Sequence, residues 1–210
     1  MSRQIGETPV TTNEASTAQT HTVLHEGYAA VSEIARQAFR TALSQQSGSP
    51  NILVEDVLTE RGPIHGYWLS LILVASPALR VTCKTFFSSG VGKAIMAKAL
   101  GRPLESITLP LVGDFMREFS NVAGGAMKRT VEGLGMNAGL SLPLVTRGFD
   151  VVFEKPPAGK NFLIDIFDLK TSTGHGFTCV LEVEVLDVNE FAKISWATEV
   201  QDESGDMEFL

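Results

Sequence analysis

The sequence predicts an α+β protein, a two-layer α/β sandwich in which a largely antiparallel sheet carries long helices on one face. Three observations point there. Helical periodicities are grouped instead of alternating one by one with strands. Strand-like runs follow one another across short turn signals, which suits antiparallel pairing, because a parallel pair needs a crossover. And 44% hydrophobic residues over 210 positions supply a core for one domain.

Residues 1–22 are rich in Thr, Ser, Gln, Glu and Asn with few apolar anchors, the composition of a flexible N-terminal tail. The domain itself is expected over residues 23–196, with an acidic C-terminal tail over 197–210. Val31, Ile34, Ala35, Ala38, Phe39 and Leu43 recur at three- and four-residue steps, which predicts an amphipathic helix from His25 to Gln45, stopped by "SGSPN". "GYWLSLILVAS" and "ALRVTCKTFFS" are β-branched and aromatic runs joined through Pro77, the pattern of an antiparallel hairpin. "VGKAIMAKALG" is helical and closes on Gly101; a long helix follows, entered through Pro110 and ended by Gly133 to Gly135. "NAGLSLPLVTRGFDVVF", "NFLIDIFDLKT" and "GFTCVLEVEVLDV" read as strands separated by "PPAGKN" and "STGHG". No repeat of 20–50 residues is visible.

The net charge of −7, with no Lys/Arg-rich run, argues against a nucleic-acid partner, since phosphate binding relies on clustered cations. No apolar run reaches the ~18–20 residues of a membrane span and the first residues lack a signal-type apolar stretch, so a soluble cytoplasmic protein is expected. Cys83 and Cys179 sit in separate apolar runs and read as core thiols. "SSGVGKA" fails as a phosphate loop because Phe87 stands where the first Gly belongs and Ala94 follows Lys93. His21, His25, His65 and His175 are scattered without metal-ligand spacing, so no metal is expected on this chain. Asp165 and Asp168 fall on opposite faces of a strand, and no GxSxG elbow occurs.

The remaining feature is "GDFMREFSNVAGGAMKR". At about 100° per residue, Asp114, Glu118, Asn121 and Gly125 fall within roughly 60° of one another, while Val112, Phe115, Phe119, Val122, Ala123, Ala126 and Met127 centre about 120° away. Glu118 and Asn121 have Cβ atoms about 5–6 Å apart and point the same way, a pair suited to reaching jointly into a partner's site. Gly124 and Gly125 each cost roughly 0.5–1 kcal/mol relative to Ala, which asks for compensation. Two readings stand: room for an approaching partner, or packing inside the monomer.

The spacing Asp114, Glu118, Asn121, Gly125 resembles the active-site helix of the CheC/CheX/FliY family of chemotaxis phosphatases. "GYWLSLILVAS" is similar to that family's "GxVxLxxS" strand, and "LSLPLVTRG" to its "SLPxVxxG" segment, so the resemblance covers residues 25 to 190. One Glu-x-x-Asn helix is present and "HEGYAAVSEIARQAF" carries no equivalent pair, which resembles the single-site CheX members. The resemblance implies a protein aspartyl-phosphate phosphatase acting on a CheY-like response-regulator receiver domain. Asn121 would position the attacking water and Glu118 would dock to the receiver's lysine, with Asp114 and Gly125 contacting the partner. It also implies Mg2+ on the receiver, no cofactor on this chain, and a homodimer joined through sheet edges. A second reading is a non-catalytic module that binds a receiver or dimerises.

Overall fold

The computed structural model describes residues 12–57, 68–147 and 161–194, with side chains from Thr22 onward in the first stretch. The elements in chain order are α1 (Thr12–Ser47), β1 (Ile52–Asp56), β2 (Trp68–Ala75), β3 (Leu79–Phe87), α2 (Ser89–Leu100), a 3-10 turn (Leu104–Ser106), α3 (Leu109–Gly133), β4 (Gly139–Leu140), β5 (Leu144–Arg147), β6 (Phe162–Thr171) and β7 (Gly176–Val185). Residues 188–194 add a helical segment. The predicted α+β sandwich is the one observed: seven strands, all pairing antiparallel, form one open sheet in the order β1-β6-β7-β3-β2-β4, with β5 also on β2.

Alternation along the strands decides where the core lies. Ile72, Val74, Val81, Cys83, Phe167, Leu169, Cys179, Leu181 and Val183 share one face by register and are buried. Against them lie Ala35, Phe39, Ala42 and Leu43 of α1 and Met116, Phe119, Ala123 and Met127 of α3. Phe39 packs edge-on against Phe119 and Phe167, joining the two helices and the sheet in one aromatic cluster. The opposite sheet face carries the ion pairs Arg80–Glu184, Lys84–Glu182 and Lys170–Glu55.

Three expectations are corrected. The first helix starts at Thr12, so residues 12–22, read as part of the tail, continue α1. The strand β1 was not foreseen. Its burial pattern leaves Leu53, Glu55 and Asp56 exposed, because only one flank of this edge strand, the one on β6, is paired among the described residues. "NAGLSLPLVTR" is two short strands, interrupted where Ser141 takes over the ladder: its Oγ accepts from the Leu73 N–H at 2.9 Å and its N–H donates to the Leu73 carbonyl at 2.9 Å. The rest of that predicted strand, residues 156–160 of "PPAGKN", His65 and the acidic tail 197–210 lie outside the described residues.

The strand order reads the same from both ends once the first half (α1, β1, β2, β3) and the second half (α3, β4–β5, β6, β7) are exchanged. Matching the pairing Ile72↔Cys83 with Phe167↔Cys179 places Ser70 opposite Thr85 where the second hairpin has Asp165 opposite Leu181. The correspondence between the halves lies in topology and register, and no repeat of the same length is visible in the sequence.

Candidate functional site

The motif helix α3 begins cleanly. Thr108 is its N-cap, accepting from the Leu111 N–H, and Pro110 stands in the first turn, where its missing donor costs nothing. It ends where Gly135 takes φ +81°, a left-handed conformation suited to glycine. The buried arc runs through Val112, Met116, Phe119, Ser120, Ala123, Gly124, Met127 and Val131. Phe115, Val122 and Ala126 are only partly buried, at the margin of the core.

Asp114, Glu118 and Asn121 lie exposed on the far side, and Gly125 is half-buried beside them. The stripe is closed at each end by an ion pair: Arg117 Nη1 to Asp114 Oδ1 at 2.6 Å, and Lys128 Nζ to Glu132 Oε1 at 2.7 Å. Between these pairs the side chains of Glu118 and Asn121 have no hydrogen-bond or ion-pair partner among the described residues. A carboxylate and a carboxamide therefore stand together on a rigid helix, with donor and acceptor capacity unspent.

The two adjacent glycines separate by role. A Cβ on Gly124 would meet Ile72 Cδ1 and Leu140 Cδ1, each at 2.9 Å, so this glycine lets α3 lie close on β2 and β4. A Cβ on Gly125 would meet only Arg129 Nη1 at 3.6 Å, an ordinary contact. Packing inside the monomer thus accounts for Gly124 and leaves Gly125 on the side of the exposed stripe.

Two buried serines were missed by pattern reading. Ser70 Oγ lies 2.6 Å from Ser120 Oγ and donates to the Met116 carbonyl at 3.3 Å, tying α3 to β2. The signal was present: Ser120 sits between Met127 and Gly124 on the arc that faces the sheet. At the matching place in the other half, Ser32 of α1 donates to Asp165. Arg36 binds the same carboxylate through Nη2 at 2.8 Å and Nε at 3.0 Å. Arg36 Nη1 also reaches Asp56 at 2.6 Å. Burial pushes the Asp165 carboxyl up, but the bonds from Arg36 and Ser32 together hold it below the ordinary carboxylate range. If Ser32 matches Ser120, then Ala30 and Glu33 stand where α3 has Glu118 and Asn121, so α1 offers no second pair of this kind.

The other motifs resolve as packing. Ser88 caps α2 by accepting from the Val91 N–H at 3.1 Å. A Cβ on Gly92 would lie 2.5 Å from Val112 Cγ1, so that glycine serves the contact between α2 and α3. Among the described residues no group of three or more His, Cys, Asp or Glu is placed to hold a metal, and no helix is long and apolar enough to cross a membrane.

No family model and no curated protein sequence matches the chain. Solved structures do. A chemotaxis protein CheX from Desulfovibrio desulfuricans is similar over 74% of this chain and 98% of its own, with TM-score 0.54 and 16% identity. The CheX–CheY–BeF3–Mg2+ complex from Borrelia burgdorferi contributes a chain matched over 73% of this one and 96% of its own, with TM-score 0.53 and 12% identity. FliY from Thermotoga maritima matches 80% of this chain and 92% of its own, with TM-score 0.52 and 15% identity. The antiparallel sheet with α1 and α3 on one face is thus the fold of the CheC/CheX/FliY chemotaxis proteins.

Proposed function

We propose that this chain accelerates hydrolysis of the phosphoaspartate on a CheY-like response-regulator receiver domain. The observation that carries the reading is Glu118 and Asn121, side by side, exposed between two ion pairs on α3 and unpaired among the described residues. Support comes also from the fold shared with CheX, one example of which is crystallised in complex with CheY.

In this reading water attacks phosphorus, the acyl–phosphate P–O bond breaks, and the receiver's aspartate leaves as a carboxylate with release of inorganic phosphate. Mg2+ on the receiver would neutralise phosphoryl charge, so the work left to this chain is positioning. The Asn121 carboxamide accepts from and donates to a water held in line with phosphorus, and being neutral it does not repel the phosphoryl oxygens. Glu118 docks through a charge-assisted bond to the receiver's lysine. Asp114 and Gly125 belong to the contact surface, the bare Gly125 leaving room for the partner's backbone. The protein would act in the cytoplasm, as a homodimer paired through sheet edges.

Phosphate release from phosphorylated receivers of the same genome, followed by stopped flow, tests the proposal. Asn121→Ala should cut the acceleration about a hundredfold with receiver affinity nearly intact. Glu118→Ala should weaken affinity about 10–100-fold, the worth of a hydrogen bond to a charged group. Unchanged turnover in Asn121→Ala refutes the mechanism, and tight receiver binding without phosphate release identifies a non-catalytic receiver-binding module instead.

A further inference from the structure

We infer that the buried Ser70–Ser120 hydroxyl pair sets the rotation of α3 about its own axis and so aims Asn121; the inference rests on the reading of Asn121 as the water-positioning group. Ser70 is 0% and Ser120 1% exposed, among apolar neighbours. A consistent chain of donors runs from the Ser120 hydroxyl to Ser70 Oγ, 2.6 Å away, and from the Ser70 hydroxyl to the Met116 carbonyl at 3.3 Å. The sheet thereby grips the single turn of α3, Met116 to Ser120, that carries Glu118 and immediately precedes Asn121.

Apolar contact is non-directional, so the packing of Met116, Phe119, Ala123 and Met127 on β2 and β3 resists a small rotation of α3 through shape alone. A desolvated hydroxyl pair adds a directional restraint, because a small rotation leaves buried donors and acceptors without partners. The lever is short but sufficient. Side-chain tips lie about 5–6 Å from a helix axis, so a rotation of about 10° carries the Asn121 amide about 1 Å, a misplacement able to cost on the order of a hundredfold in rate. Gly124, one turn after Ser120, lets the helix come near enough for the bond to form. The same device recurs in the other half, where Ser32 of α1 binds Asp165 of β6 at the matching register position. Ser70 and Ser120 are thus positioning residues, acting through Asn121.

Ser70→Ala is the mildest test, because the Ser120 hydroxyl can then fall back on the Met116 carbonyl of its own helix and no buried hydroxyl is left bare. S70A/S120A is the second variant, removing both hydroxyls. Both should fold with receiver affinity within about twofold of wild type, and kcat for phosphate release should fall at least about tenfold. In the free protein the Asn121 side-chain amide resonances should shift or broaden. Wild-type kcat together with an unmoved Asn121 amide in both variants overturns the inference, as does a loss of affinity equal to the loss of kcat. If the wild-type protein accelerates no receiver, the functional reading fails instead, and the Asn121 amide signals alone decide whether the serines hold the helix.

Discussion

Alanine at position 125 should stabilise the protein and alanine at position 124 should not, although the two glycines are neighbours on one helix. Both substitutions gain about 0.8–1 kcal/mol of helix propensity. At position 125 nothing opposes the gain, since the new methyl meets only Arg129 Nη1 at 3.6 Å; Gly125→Ala should stabilise the fold by about 0.5–1 kcal/mol. At position 124 the methyl arrives 2.9 Å from both Ile72 Cδ1 and Leu140 Cδ1. These are ends of flexible side chains, so the clash is relieved by repacking at an overpacking cost of about 1–3 kcal/mol, leaving Gly124→Ala between neutral and about 2 kcal/mol destabilised. Urea unfolding at neutral pH reads both, and in a thermal scan each kcal/mol is worth about 2–4 °C for a chain of this size. If Gly124→Ala stabilises as much as Gly125→Ala, the close approach of α3 to the sheet is not what glycine 124 is for. On the proposed function Gly125→Ala has a second consequence: a more stable protein with weaker affinity for a phosphorylated receiver domain, because the methyl fills room left for the partner.

The Arg36–Asp165–Ser32 cluster predicts an acid-sensitive step. Because the folded carboxyl lies below its unfolded value of about 3.9, its contribution is complete above that value and is lost as pH falls through the folded one. Asp165→Asn should cost about 1–2 kcal/mol at pH 7 and approach wild-type stability as pH falls through the lowered folded value, whereas Asp56→Asn, with a side chain 78% exposed, should cost under about 1 kcal/mol. A pH-independent difference between Asp165→Asn and wild type would contradict this. Burial pushes the Cys83 thiol up to about 12 and raises Cys179 as well, so neither should react with a thiol reagent in the native protein, and both should react once it is unfolded; fast labelling of the native state would count against their burial.

Local chemistry carried much of this molecule. The β-branched and aromatic runs of β2, β3, β6 and β7, the turn at Pro77, the stops at Gly101 and Gly135 and the polar stripe of α3 each arise from interactions within a few residues, and each was legible before any contact was known. The strand β1 was not, because a strand on the sheet's edge buries one flank and "ILVED" owes its conformation to β6 more than to its own pattern. Nor was the start of α1 at Thr12, in a polar stretch without helical periodicity.

The residues of the candidate site divide in the same way. That Glu118 and Asn121 share a face away from Phe119 and Ala123 follows from the helical repeat, which sequence alone determines. Which of Gly124 and Gly125 serves the core, and that Ser120 hangs from Ser70 some 50 positions earlier, only the tertiary structure decided. A hydroxyl or a missing Cβ acquires a role from the atom set opposite it, and that atom is chosen by the strand order and register of the whole sheet.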